Sequence, residues 1–102
     1  MKVTILGGTG PQGRGLAQRF AAAGVDVVLG SRNAERALAI AEEISSIQDM
    51  PGLISGMDNN SAVRAADEIV ILAVPYSGHD KTLNSIRDAL AGKILVDIVV
   101  PL

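Results

Sequence analysis

The sequence predicts an α/β fold, a doubly wound parallel sheet of five strands in the order 3-2-1-4-5 with helices on both faces. Three observations lead to this prediction. Short, continuous apolar runs rich in Val and Ile are typical of strands buried on both faces of a sheet. The segments between them carry apolar residues at helical spacing. A glycine-rich loop follows the first run directly, and 102 residues are enough for one domain.

The predicted strands are short apolar runs bounded by Gly, Pro or charged residues. A weaker candidate in the middle of the chain completes the alternation of strand and helix, which requires right-handed crossovers. The predicted strands are residues 3–6, 25–29, 53–57 (the weaker candidate), 69–74 and 94–100.

The predicted helices show both periodicity and end signals. In the second helix, Ala37, Ile40, Ala41 and Ile44 follow the spacing i, i+3, i+4, i+7. Helix starts are predicted after capping side chains and helix ends at glycines. The predicted caps are Asn33, Asp58 and Ser77, and the predicted ends are Gly24 and Gly92.

Composition excludes several classes of function. With 48% hydrophobic and 20% charged residues and a net charge of -2, the chain has no basic excess for nucleic acid, and two aromatic residues offer no stacking platform for bases. The absence of cysteine excludes disulfides, zinc-thiolate sites and a cysteine nucleophile. The apolar runs are shorter than the roughly 20 residues of a membrane helix, and no signal-peptide pattern is present, so we expect no membrane partner and a cytoplasmic protein.

The loop "GGTGPQGRG" carries the spacing Gly8-x-Gly10-x-x-Gly13 of a dinucleotide-binding fingerprint, after a predicted strand and before a predicted helix. In that context Gly8 permits a tight turn, Gly10 lets the backbone approach a pyrophosphate, and Gly13 lets the helix pack close to the sheet. Pro11 suits the first helical turn. The backbone N–H groups of residues 10–13, at the positive end of the helix, are predicted to hold the pyrophosphate.

The same letters also fit the TGxxGxG pattern of short-chain dehydrogenases. That reading requires a catalytic Tyr-x-x-x-Lys. Asp80 stands four residues after Tyr76, the one tyrosine in the chain, and Lys81 comes one place too late. The spacing therefore argues against this alternative.

The end of the second predicted strand indicates which dinucleotide binds. Enzymes that prefer NAD usually place Asp or Glu there, whereas this chain has Ser31 and Arg32, with Arg36 one turn further on. A hydroxyl and guanidinium groups can bind a 2'-phosphate, and Arg32 can also lie over the adenine. Asp26 is too early in the strand to reach the ribose. The sequence therefore predicts NADP as the cofactor.

Two long stretches, "MKVTILGGTGPQGRGLAQRFAAAGVDVVLGSRN" and "ISGMDNNSAVRAADEIVILAVPY", resemble the NADP-binding domain of the NADPH-dependent reductases of the deazaflavin coenzyme F-420 (F420), the deazaflavin:NADP oxidoreductases. The run GGTG-x-x-G-x-GLA followed by GSR is more specific than a general dinucleotide fingerprint. The resemblance implies a Rossmann-like domain and hydride exchange between NADPH and F420, with both molecules as small-molecule partners.

The resemblance also implies roles for individual residues. One set would form the pyrophosphate loop, another would hold the 2'-phosphate, and a third would lie along the nicotinamide-side ribose. Tyr76 stands where the family usually has a larger aromatic residue, and Arg36 where it commonly has lysine. The pyrophosphate set is Thr9, Gly10, Pro11 and Gln12. The 2'-phosphate set is Ser31, Arg32 and Arg36, and the ribose set is Val74 with Pro75.

Length is the main departure from the family pattern. Residues 1–102 match an NADP-binding domain, while family members continue into a smaller domain that completes the deazaflavin pocket and helps form a homodimer. We therefore expect this chain to bind NADP better than it catalyses a reaction. Two alternatives stay open: a binding module that senses NADP(H), and an NADP-dependent reductase of a small carbonyl or imine.

Two titratable residues outside the loop remain to be placed. His79, with Asp80 beside it, is expected to be a solvated residue in the first turn of a helix, because adjacent helical residues point in different directions. Asp97 interrupts the apolar run "ILVDIVV", where a buried carboxylate must be paired. It is expected to be a satisfied polar group of the core, with a position facing the nicotinamide as the alternative. Hydride transfer between two ring cofactors requires no general acid or base from either residue.

Overall fold

The computed structural model describes residues 1–7, 10–47, 49–74 and 78–98. These residues form one sheet of five parallel strands in the order β3-β2-β1-β4-β5, with four helices between the strands, which confirms the predicted fold class and strand order. The elements are β1 Lys2–Leu6, α1 Pro11–Ala22, β2 Asp26–Ser31, α2 Ala34–Ile47, β3 Ile54–Asp58, α3 Asn59–Ala65, β4 Ile69–Leu72, α4 His79–Ile86 and β5 Ile94–Asp97.

β1 lies at the centre of the sheet and is the point where the strand order reverses. It pairs with β2 on one side and β4 on the other, with Leu6 aligned to Gly30 and to Leu72. In open parallel sheets, ligands bind in the crevice at the carboxyl ends of the strands beside such a reversal. The fold therefore directs the search for a site to the residues that follow β1, β2 and β4.

Alternate residues of the central strands enter two separate cores. Val3, Ile5 and Leu29 pack on the face covered by α1 and α2, which contribute Ala17, Ala41 and Ile44. The opposite face is covered by α3 and α4. Its buried residues are Leu6, Val28, Ala62, Val63, Ala66, Val70, Leu72, Ile86 and Ala89. Burial on both faces explains why the strands are continuous apolar runs in the sequence.

The predicted helix starts are confirmed where the structure describes them. The side chain of Asn33 accepts a hydrogen bond from the backbone N–H of Arg36 at 3.1 Å, just before α2. Asp58 caps α3 by accepting from the N–H of Ser61 at 3.2 Å, and hydrogen bonding from Ser61 lowers the pKa of this carboxyl. Ser77 lies outside the described residues.

Element ends differ from the predictions at several places. β2 extends to Ser31, β4 ends at Leu72 and β5 at Asp97. α4 ends at Ile86, well before Gly92, because the chain leaves the helix in a series of turns. Gly24 does end α1, with φ of +90° immediately after the C-cap. Within the described ranges, no helix combines the length and the apolar character that a membrane crossing requires.

Candidate functional site

A cleft of about 470 Å³ opens at the carboxyl edge of the sheet, where the strand order reverses. Its walls come from the residues that follow β1, β2, β3 and β4 and from the first turn of α4. The described residues that line it are Gly7, Ser31, Arg32, Asn33, Arg36, Asn59, Val74, Gly78, Lys81 and Thr82.

Gly7 makes the turn that leaves β1. Its φ is +76°, and a Cβ built on it would lie 2.7 Å from the backbone nitrogen of Val74, so both the conformation and the close approach require glycine. Its N–H donates to the carbonyl of Gly30 at 3.1 Å. The tight turn was predicted at Gly8, and the role of Gly7 was not predicted. Gly8 and Thr9 lie outside the described residues.

α1 begins without a side-chain cap. Gly10 precedes the helix in extended conformation, with φ of -83° and ψ of 168°, and its N–H donates to the carbonyl of Gly7 at 3.1 Å. Pro11 opens the helix as predicted, and its first turn holds no acidic residue. The predicted set of N–H groups at residues 10–13 needs a correction, because Pro11 has no N–H and that of Gly10 is bonded to Gly7. The N–H groups of Gln12 and Gly13, at the positive helix end, are the ones available to an anion.

Among the described residues, nothing requires glycine at position 10. A Cβ there would meet the carbonyl oxygen of Gly7 and no other described atom within 4 Å, at an ordinary contact distance of 3.6 Å, and φ is negative. The small residue instead keeps space open beside the helix end, as expected where a ligand approaches the backbone. Of the other residues of the predicted loop, Gln12 is exposed and Gly13 is buried. None of the four described loop residues, Gly10, Pro11, Gln12 and Gly13, is among the described cleft-lining residues. Gly7, whose carbonyl accepts a hydrogen bond from Gly10, does line the cleft.

The residues after β2 form a compact turn that brings the predicted 2'-phosphate ligands together. The hydroxyl oxygen of Ser31 accepts a hydrogen bond from the N–H of Asn33 at 3.2 Å. Asn33 in turn caps α2 through the N–H of Arg36. Ser31, Arg32 and Arg36 all line the cleft, and their predicted contact with a 2'-phosphate stays a prediction.

The charged side chains among the described lining residues of the cleft are all positive. Arg32, Arg36 and Lys81 line it, and its described lining includes no carboxylate. Arg32 and Arg36 are exposed and form no ion pair with any residue in the described ranges. Arg14 is different, because its guanidinium lies 2.8 Å from the carboxylate of Glu43. The unpaired cations make the cleft suitable for a ligand with several negative charges.

Besides Gly7, and Asn33, which was predicted only as a helix cap, four residues of the described cleft lining were not predicted: Asn59, Gly78, Lys81 and Thr82. Each belongs to a helix start after a strand, and the carboxyl-edge rule could have indicated them. Asn59 directly follows β3, while Lys81 and Thr82 lie in the first turn of α4. Asn59 and Thr82 are buried polar residues, and Lys81 is exposed.

The residues predicted after β4 are placed only in part. Val74 lines the cleft and touches the turn at Gly7, as expected of a residue at the end of β4. Pro75 and Tyr76 lie outside the described residues, so their predicted contacts stay predictions.

His79 and Asp97 form a close side-chain pair that was not predicted from the sequence, and it is an ion pair when the histidine is protonated. The Nε2 atom of His79 lies 2.5 Å from Oδ2 of Asp97, and its Nδ1 atom lies 3.2 Å from Oδ1 of Asp80. Hydrogen bonding to Asp97, and then to Asp80, raises the pKa of His79 above its ordinary value of 6.5. Neither His79 nor Asp97 is among the described residues that line the cleft.

The expectations for this pair were therefore wrong in two respects. His79 is a paired residue rather than a solvated one, with a side chain 20% exposed. Asp97 is satisfied, but outside the core, because β5 is the edge strand of the described sheet and the Asp97 side chain is 43% exposed.

Comparison with known proteins identifies the family. Residues 2–101 match the model of the family described as "NADP oxidoreductase coenzyme F420-dependent". The chain is 44% identical to the F420-dependent NADP reductase of Methanothermobacter marburgensis, with 100% of this chain and 46% of that protein covered. It is 41% identical to the protein of the same name from Methanocaldococcus jannaschii, again covering 100% of this chain and 46% of the relative. The chain thus spans less than half the length of these relatives.

Two further similarities extend the comparison. The chain is 35% identical to Metalloreductase STEAP3 of Rattus norvegicus, over 98% of this chain and 18% of that protein. The solved structure of an imine reductase from Bacillus cereus superposes with a TM-score of 0.70 at 27% identity, covering 98% of this chain and 32% of that one.

Proposed function

Because this chain belongs to the family of F420-dependent NADP oxidoreductases, we propose that it forms the NADP(H)-binding part of an enzyme that transfers hydride between NADPH and F420. One observation carries the proposal: two unpaired guanidinium groups, Arg32 and Arg36, share a cleft whose described lining has no carboxylate. NADP differs from NAD by a phosphate on the adenosine ribose, so cations at the end of β2 favour NADP.

The 2'-phosphate is held by Ser31, Arg32 and Arg36 in this proposal. The Ser31 oxygen accepts a hydrogen bond from the backbone of Asn33, which leaves its own hydrogen to donate to a phosphate oxygen. A hydrogen bond to a charged group contributes about 1.5–3 kcal/mol, so one such contact favours NADP over NAD by roughly ten- to over a hundredfold.

The pyrophosphate is placed at the N-terminus of α1. The fit rests on the uncapped helix start, the absence of an acidic residue in its first turn, and the open space beside Gly10. Because Gly10 donates to Gly7, and Gly7 lines the cleft, this helix end adjoins the space where the adenosine half would lie. Gly10, Pro11, Gln12 and Gly13 are the described residues of this proposed contact.

The nicotinamide half is directed toward β4. Val74 follows that strand and packs against the turn at Gly7, so it can lie along the nicotinamide-side ribose. The nicotinamide ring gives up or accepts the hydride, with the deazaflavin as its other carrier. The residues of this chain bind and orient the cofactor and need not transfer a proton themselves.

The relatives support a cofactor-binding role for this segment in particular. Proteins named as an F420-dependent NADP reductase, a metalloreductase and an imine reductase share it, although their names give different substrates. A segment common to them supplies what these reductions have in common, which we propose is the nicotinamide cofactor. Partners in the proposal are small molecules and a second copy in a homodimer, in the cytoplasm, without nucleic acid, in agreement with a net charge of -2.

The test is NADPH oxidation with and without F420, followed by nicotinamide absorbance. It uses the full-length gene product, because residues 1–102 alone are expected to bind NADP better than they catalyse a reaction. We expect NADPH to be consumed only when oxidised F420 is present, one molecule for each F420 reduced. At limiting NADPH, Arg32→Glu should be slow, while Arg87→Glu, the same charge change at the far end of α4, should match the wild type. Tight NADPH binding without oxidation by F420 would contradict the hydride-transfer part and favour an NADP(H)-sensing module.

A further inference from the structure

Asn59 carries a buried hydrogen-bond acceptor that the fold does not satisfy. It is the first residue of α3 and is only 8% exposed. Its Oδ1 atom is buried and has no hydrogen-bond partner among the described residues. Buried polar atoms in folded proteins are almost always hydrogen-bonded, so an unsatisfied one requires an explanation.

The position of Asn59 indicates what could satisfy it. It directly follows Asp58, which pairs with Ser31 across the β2–β3 ladder, and it lines the same cleft as Arg32. The unsatisfied oxygen therefore lies beside the residues to which we assign the 2'-phosphate. That phosphate is attached to the adenosine ribose, so the adenosine half is the part of the cofactor nearest to Asn59.

Glycine at position 30 leaves room for the amide group of Asn59. A Cβ built on Gly30 would lie 3.1 Å from Oδ1 of Asn59 and 2.5 Å from a methyl carbon of Leu6. The Oδ1 atom of Asn59 therefore lies close over the backbone of Gly30, where no side chain can bond it. Rotation about the last side-chain bond of asparagine is broad, and a half-turn brings the oxygen to the cleft and the amide nitrogen to its buried place. The hydrogen bond donated by a ligand must offset the burial of that nitrogen.

We propose that Asn59 is a ligand-binding residue of the cleft, whose carboxamide oxygen turns outward and accepts a hydrogen bond from the adenosine half of NADP(H). This inference rests on the proposed function. The adenosine half offers two kinds of donor, the ribose 3'-hydroxyl next to the 2'-phosphate and the 6-amino group of adenine. Asparagine suits either, because its amide has both an acceptor and donors and can pair with an adenine edge.

The first experiment compares Asn59→Leu with Asn60→Leu, the exposed neighbour on the same helix. We measure NADP binding by calorimetry and Tm without ligand. Asn59→Leu should bind NADP about tenfold more weakly, as expected for the loss of one hydrogen bond, and Asn60→Leu should bind as the wild type does. The Tm of Asn59→Leu should stay the same or rise, because an apolar group of similar shape removes the unsatisfied oxygen.

The second experiment identifies the donor with nicotinamide hypoxanthine dinucleotide phosphate, which lacks the 6-amino group but keeps the ribose hydroxyl. If the amino group is the donor, Asn59→Leu loses affinity for NADP and none for the analogue. If the hydroxyl is the donor, the variant loses affinity for both. Asn59→Ala repeats the comparison with a smaller side chain.

Two results would overturn the inference. Unchanged affinity of Asn59→Leu and Asn59→Ala for both dinucleotides would show that the unsatisfied oxygen has no part in binding. A lowered Tm, with affinity reduced equally for nicotinamide mononucleotide, which lacks the adenosine half, would show a structural role instead. Failure of the proposed function is distinguishable from both, because the wild type itself would then not bind NADP.

Discussion

Charged residues at the carboxyl ends of β2 and β5 differ in whether they are paired with other residues of the protein. At the end of β2, Arg32 and Arg36 face a cleft without an ion pair among the described residues. At the end of β5, His79 is held between the carboxylates of Asp97 and Asp80. The difference teaches that charge alone does not mark a binding site. Cations that share a cleft with no carboxylate in its described lining indicate an anionic ligand, whereas paired charges connect elements of the fold.

Gly7 lies between the two ends, and its substitution should have the largest effect. Gly7→Ala adds a side chain at positive φ and forces a contact with the backbone of Val74. We expect a loss of about 2–5 kcal/mol in the free energy of unfolding from conformational strain and overpacking together, measured by urea denaturation.

Gly15→Ala is the matched control for Gly7→Ala. A Cβ at Gly15 has no neighbour within 4 Å, and the residue lies inside α1. This substitution should stabilise the protein by about 0.5–1 kcal/mol, since alanine loses less conformational freedom in a helix than glycine does. Equal effects of the two substitutions would contradict the close approach between the β1 turn and β4.

The contribution of the His79–Asp97 pair to stability should depend on pH. The pKa of His79 is raised in the folded protein, so the stabilisation is fully present below the unfolded value near 6.5 and is lost as pH rises through the folded value. Thermal unfolding should therefore show a lower Tm for Asp97→Asn than for the wild type at pH 6. The difference in Tm between Asp97→Asn and the wild type should be smaller at pH 8.

The pH dependence of this difference in Tm is the informative quantity, because Asp97 has further interactions that the substitution also changes. A gap in Tm that is constant between pH 6 and pH 8 would argue against the His79 pair. NADP affinity of Asp97→Asn at pH 8 should equal that of the wild type, and a large loss would place the pair in the binding site.

The smallest effect is expected at the pair between Arg14 and Glu43, which joins α1 to α2 on the surface. Arg14→Gln should change stability by less than about 1 kcal/mol and should leave NADP affinity unchanged, because exposed ion pairs contribute little. A tenfold loss of NADP affinity would show that Arg14 leaves Glu43 to bind phosphate, and the distinction between paired and unpaired cations would fail.

Features that depend on neighbouring residues in the sequence were predicted correctly. The strand order follows from the alternation of buried runs and helices, and Ser31 with Arg32 follows from the place where the second run ends. Asn33 and Asp58 were found as caps because a cap bonds a backbone N–H three residues ahead, a distance visible in the sequence. The family was also identified correctly from its motifs.

Contacts that depend on topology were not predictable in the same way. Asn59 and Lys81 reach the cleft because their helices start at the same edge of the sheet as Arg32, although they are far from it in sequence. His79 meets Asp97 only because β5 pairs with β4. The apolar residues around Asp97 are typical of a central strand, in which the carboxylate would be buried. β5 is instead an edge strand of the described sheet, so the carboxylate is partly exposed.

The central claim is that unpaired cations at the end of β2 bind the 2'-phosphate. Titrating NADPH and NADH by nicotinamide fluorescence into the wild type, Arg32→Glu and Arg87→Glu tests it most directly. We predict that the wild type and Arg87→Glu prefer NADPH by at least about tenfold, and that Arg32→Glu loses this preference while keeping its affinity for NADH. Equal affinities of the wild type for the two dinucleotides, or an unchanged preference in Arg32→Glu, would contradict the account.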